Sequence, residues 1–111
     1  MTIKDNLVYL KHILDAINKI EQYIKKIDEN KFSKDTLIQD GVIRQIEIIG
    51  EATKNLSEDF RDKHKQVPWK DIAGMRDKLI HGYFGVDINA VWDTVKKDLP
   101  NLKAEITRIL S

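Results

Sequence analysis

Apolar residues recur along almost the whole chain three or four positions apart, the spacing of one helix face. In the first segment Ile3, Leu7, Leu10, Leu14, Ile17 and Ile24 alternate steps of four and three, and Glu21 fills the one slot that breaks the row. Ile13, Ile20 and Ile27 form a second row seven apart. Together the rows predict a wide-faced helix over roughly residues 3–28, about 39 Å long at 1.5 Å per residue. A helix of that kind buries one side in a bundle and can offer the rest to a partner.

The next residues, 29–34, are polar except for Phe32 and read as a loop, with Ser33 or Asp35 capping the following helix. In that helix Ile38, Val42, Ile46, Ile49, Thr53 and Leu56 share a stripe, flanked by Ile43 and Gly50. Glycine costs about 1 kcal/mol against alanine inside a helix, so Gly50 reads as a place where a neighbouring helix comes close. Ser57 is placed to cap a short polar helix from Glu58 to about His64. Pro68 suits a first helical position, and a third main helix runs from there to about Tyr83, with Gly82 and Gly85 marking its end. Asp87 caps a last stretch whose stripe is Val91, Trp92, Val95, Leu99, Leu102, Ile106, Ile109 and Leu110. Pro100 must break or kink it near the middle. No segment alternates with period two, so no sheet is expected. The predicted fold is all-α, an up-and-down helical bundle of four main helices, the last kinked or split near Pro100.

Composition narrows this picture. A chain of 111 residues suits one domain spanning 1–111. With 41% apolar and 33% charged residues it falls in the range of folded soluble proteins. The chain has no cysteine, which excludes a disulfide scaffold, a thiolate metal site and a cysteine nucleophile, and fits a cytoplasmic location. No apolar run is long enough to span a bilayer, so no membrane partner is expected. The net charge of +1 predicts no strong overall pull on nucleic acid. Charge is uneven, however. Residues 32–60 carry three basic and six acidic side chains, whereas residues 61–81 carry six basic and three acidic. The second segment is either a strip for phosphates or simply a solvated surface.

Candidate chemistry concentrates in WKDIAGMRDKLIHGYFGVD, Trp69 to Asp87. On a regular helix Ile72, Leu79 and Tyr83 point within about 20° of one direction, and Arg76 lies about 40° from Ile72. An arginine in an apolar stripe must find an anion, line a cleft or face a second subunit; otherwise its stem packs while its head reaches water. His81 lies about 140° round from Arg76. Asp77, four residues before His81, shares its face and could fix the imidazole tautomer. A histidine in a last helical turn is also a good partner for the helix dipole. Together, Arg76 and His81 have the groups for RNA cleavage by internal transesterification. A neutral imidazole takes the 2′-hydroxyl proton, an imidazolium protonates the leaving 5′-oxygen, and a guanidinium stabilises the charge between them. That chemistry needs no metal or cofactor. The three histidines, His12, His64 and His81, have no metal-site spacing. Two histidines in opposite protonation states would serve it best, and a symmetric dimer supplies His81 twice.

Arg76, four residues, His81, one residue, Tyr83 resembles the signature of the HepT toxins of the HEPN superfamily. YLKHILDAINKIEQY resembles their first helix and DGVIRQIEIIGEATKNLS their second, while VPWKDIAGMRDKLIHGYFGVD and VWDTVKKDLPNL resemble the rest. The resemblance implies a small all-α homodimer whose Arg76 and His81 cut RNA at the dimer cleft without metal, with Asp77 the polar residue beside the arginine. It implies the toxin of a toxin–antitoxin pair, silenced when an MntA-type nucleotidyltransferase transfers AMP onto Tyr83. By the helical spacing, AMP on Tyr83 would bring a phosphate beside Arg76. Gly41 stands where a small helix former such as alanine is expected. Two other roles stay open: a non-catalytic helical module that binds and serves a nucleotidyltransferase, and a helical adaptor in which Arg76 makes only a structural ion pair.

Overall fold

A computed structural model describes residues 3–80 and 85–111. Its elements are α1 (Ile3–Ile24), α2 (Glu29–Lys34), α3 (Thr36–Lys54), α4 (Glu58–Lys63), α5 (Trp69–Ala73), α6 (Met75–Leu79), α7 (Ile88–Asp93), a π-helical turn (Thr94–Asp98) and α8 (Leu99–Leu110). The protein is all-α, and among the described residues the only β feature is an isolated antiparallel bridge between Ile80 and Val86. No helix among the described residues is long and apolar enough to cross a membrane.

The long stripes do what their spacing predicts. Leu10, Ile13, Ile17 and Ile20 of α1 are buried against Val42, Ile46 and Ile49 of α3, all in one continuous core. Each such side chain contributes about 1.5–3 kcal/mol by leaving water. Helix α1 stops at Ile24, short of residue 28, because Asp28 accepts a hydrogen bond from the Lys31 amide and starts a new helix there. Glu21 interrupts the apolar row for a contact across the bundle: it accepts a hydrogen bond from Lys103 Nζ of α8 at 2.7 Å. Residues 29–34, expected as a loop, form α2, and its lone apolar residue Phe32 is fully buried.

The caps at Asp35, Ser57 and Asp87 form as their sequence positions suggest, accepting from the amides of Ile38, Phe60 and Ala90. Ser57 does more. Its amide donates to Asn6 Oδ1 at 2.9 Å while Asn6 Nδ2 donates to its hydroxyl at 3.1 Å, so buried Asn6 ties α1 to the start of α4 with both ends satisfied. The Asp35 carboxyl is held below its ordinary value of 3.8, chiefly by the Ile38 amide and then by Lys31. A depressed carboxylate pKa stabilises the fold above the ordinary value, and that contribution is lost as pH falls through the folded one. Asp35→Ala should therefore lower the Tm at neutral pH, with the difference from the parent shrinking towards pH 3, a comparison that thermal melts across pH provide.

Gly50 is explained by closeness: a Cβ there would meet the Ala73 carbonyl oxygen at 3.4 Å, so α3 and α5 approach backbone to backbone. Gly41 has an equally local reason, since a Cβ would sit 3.2 Å from the Tyr23 ring. The final stretch carries its expected disturbance beside the proline. It is not split. It continues from Ile88 to Leu110 through a π-helical turn, with the Leu99 amide reaching back to the Thr94 carbonyl. Pro100 follows immediately, where its missing N–H and its ring would otherwise conflict with the preceding α-turn. Val91, Val95, Leu99, Leu102 and Ile106 stay buried through the change of register.

Candidate active site

The segment bearing Arg76 differs from one unbroken helix. Gly74 interrupts it with φ −93° and ψ 2°, leaving α5 and α6 as two five-residue helices. Ile72, Met75 and Leu79 remain buried on both sides of the break. Helix α6 then ends at Leu79, because Ile80 is extended (φ −120°, ψ 112°) and pairs with Val86. The Asp87 amide donates to the Leu79 carbonyl at 2.9 Å, closing the same junction. Gly85 makes the return possible with φ +148°, a conformation that disfavours any side chain. The chain thus changes direction before His81, two residues earlier than Gly82. The expected shared face of Asp77 and His81 and the expected shared stripe of Arg76 and Tyr83 depend on residues 81 and 83. His81 and Tyr83 themselves lie outside the described residues.

Arg76 is not in the buried stripe. Its side chain is 46% exposed, and of the fates open to it the structure supplies an anion. Arg76 Nε donates to Glu47 Oε2 of α3 at 3.0 Å. Asp77 approaches from its own helix, with Oδ1 3.6 Å from Arg76 Nη1, and is itself 79% exposed. An ion pair this open contributes about 0–1 kcal/mol to stability. The contact holds the Nε edge of this half-exposed guanidinium, a group that can take a phosphate in a two-pronged bond.

Sequence reasoning did not find Glu47. The pair joins residues 29 apart in sequence, and nothing local to either marks it. The two usable signals were Gly50, which promises a close neighbour for α3, and the need of Arg76 for an anion. Elsewhere in the basic segment acidic side chains stand among the basic ones. Lys78 lies 3.8 Å from Asp71, and the groove between α4 and α5 mixes Arg61, Lys65 and Lys70 with Glu58, Asp62 and Asp71. That segment is a mixed surface rather than a uniformly positive strip. Among the described residues no group of three or more His, Cys, Asp or Glu side chains could hold a metal ion.

The model of the family described as Ribonuclease HepT-like matches residues 13–109. The chain belongs to the HepT-like ribonuclease family. It is 48% identical over 101 residues to a protein of Thermococcus cleftensis named "Probable ribonuclease HepT", covering 91% of this chain and 92% of that one. It is 48% identical over 102 residues to a "Putative RNase" of Caldanaerobacter subterraneus subsp. tengcongensis, covering 92% and 91%. A third relative, from Methanocaldococcus jannaschii, is named "Gamma-glutamylcyclotransferase and putative RNase"; it is 53% identical over 107 residues, 96% of this chain. Of that longer relative the HepT-like chain spans about half, 48%. No solved structure matches the chain. The HepT-like resemblance of the motif thus extends to the whole helical scaffold that carries Arg76.

Proposed function

We propose that this HepT-like protein is a metal-independent endoribonuclease, the toxin of a toxin–antitoxin pair, acting in the cytoplasm as a homodimer. The reading rests on one observation above all. In a chain of this family, Arg76 is half-exposed and gripped at its inner edge by Glu47, on the short helix that leads directly into His81. In the proposed reaction the ribose 2′-oxygen attacks the adjacent phosphorus as a neutral His81 imidazole takes its proton. The bond from phosphorus to the 5′-oxygen breaks, and the His81 imidazolium of the second subunit gives that oxygen a proton. The products are a 2′,3′-cyclic phosphate and a free 5′-hydroxyl, and the two histidines end with their protons exchanged. Arg76 neutralises the extra charge on the five-coordinate phosphorus. Asp77 supports the arginine by proximity. Tyr83 is the site where an MntA-type nucleotidyltransferase attaches AMP, whose added bulk and charge silence the enzyme.

Incubating the purified protein with structured and unstructured RNAs in excess EDTA tests the reading. Fragments ending in 2′,3′-cyclic phosphate are expected, together with an intact-mass gain of one or more AMP units on coexpression with the transferase that Tyr83→Phe abolishes. Absence of cleavage on every RNA, with tight binding to the transferase, would instead make the protein a non-catalytic partner of that enzyme.

A further inference from the structure

Among the described residues, Glu47 is the one carboxylate from another helix that the structure places on Arg76, and it does so at the Nε edge. We infer that Glu47 is a positioning residue for the guanidinium, an inference that rests on the reading of Arg76 as the group that stabilises charge on the reacting phosphate.

Three features separate this contact from an ordinary surface pair. The first is where it grips. Arginine offers five N–H donors, and a phosphate is best held by a parallel pair of them. A carboxylate that took both terminal amino groups would occupy the place of the substrate. Glu47 takes Nε at 3.0 Å, and Asp77 stands no closer to Nη1 than 3.6 Å. The second is what holds Glu47. Its neighbours on α3, Ile46 and Ile49, are buried to 1% and 0% exposure, and the backbone approach at Gly50 fixes α3 against the carbonyl oxygens of Ile72 and Ala73 just before Arg76. The carboxylate therefore stands on a framework tied to the helix it serves. Asp77, at 79% exposure, has no such support. The third is charge. A negative group beside an anion-binding arginine weakens attraction for RNA by simple repulsion. Glu47 thus works against substrate affinity, and its use must lie in orienting the guanidinium before the reaction, where a misplacement of about 1 Å costs about 100-fold in rate.

The opposing signs make the test clean. Steady-state cleavage of a defined RNA is measured for the parent, Glu47→Ala, Glu47→Gln and Arg76→Ala, with the Tm of each. Glu47→Ala should lose about 10- to 100-fold in kcat with KM unchanged or lower, since a repelling charge has gone. Glu47→Gln, whose amide oxygen can still accept the Nε–H bond, should recover part of kcat. If Glu47→Ala fails to fold, Glu47→Gln alone carries the comparison through its split between kcat and KM. A kcat within about threefold of the parent in both variants, alongside an inactive Arg76→Ala, overturns the positioning role and leaves the ribonuclease reading standing. Parental cleavage by Arg76→Ala removes that reading, and the inference with it.

Discussion

Replacing either Arg76 or His81 with alanine is expected to cut kcat/KM for RNA by at least about 100- to 1,000-fold while the protein stays folded. For Arg76 the separation of activity from stability follows from the structure. Arg76 is 46% exposed and its bond to Glu47 is a surface pair, so its loss costs about 0–1 kcal/mol, a Tm change of no more than several degrees for a chain of this size. The catalytic cost is larger because a guanidinium beside the phosphate acts where charge grows in the transition state. Arg76→Lys separates two contributions. Lysine keeps the positive charge but offers a point rather than a planar fork, and it has no Nε edge for Glu47 to hold. It should therefore fall between the parent and alanine, with a deficit mainly in kcat. The two alanine variants should also fail to add when combined, since residues acting on one transition state lose most of their effect together. Thermal melts and single-turnover cleavage on one RNA check all of these expectations, and a highly active His81→Ala would show that the imidazole carries no proton in the reaction.

What the chain discloses before its structure follows from the range of the forces involved. Helices α1 and α3 are legible because each has a repeated apolar row whose burial stabilises it many times over. Single residues close to their own targets are legible too: Asp35, Ser57 and Asp87 each accept a bond from an amide three residues on. The site is less so. Gly74 was visible, but whether a glycine breaks a helix depends on what surrounds it, and here Ile72 and Met75 keep their burial across the break. The end of α6 at Leu79 depends on the distant Val86 and on the positive φ of Gly85. The Glu47–Arg76 bond depends on how two helices stack. Pro100 announced a disturbance correctly, yet the chain absorbs it by widening one turn, an outcome that depends on keeping Val95 and Leu99 in the core. Motif and scaffold thus point to the family, while the relative placement of the reacting groups is a property of packing.

The largest loss of stability from one substitution is expected at Phe32, the residue that a polar surrounding made least conspicuous. In ENKFSK, residues 29–34, it is the lone apolar side chain, and it is entirely buried. Its ring meets that of Trp92 with centroids 5.1 Å apart at 38°, so α2 is a six-residue anchor for α7. Hydrogen bonds prepare it: Asp28 caps α2 and Gln39 Nε2 donates to the Phe32 carbonyl at 2.8 Å. A helix this short has no stability of its own, and the ring is what fastens it to the bundle. Phe32→Ala removes that fastening and leaves a cavity beside Trp92, at a cost of about 3–5 kcal/mol. Small domains have only about 5–15 kcal/mol in total, so the Tm should fall by about 10–30 °C. Phe32→Leu fills most of the space and should restore a large part of it. The damage should also reach the site. Trp92 lies on α7, which begins at the Asp87 cap, and the Asp87 amide and Val86 are the partners that close the chain against Leu79 and Ile80. Cleavage by Phe32→Ala, measured well below its lowered Tm, should therefore be weaker than that of the parent at the same temperature.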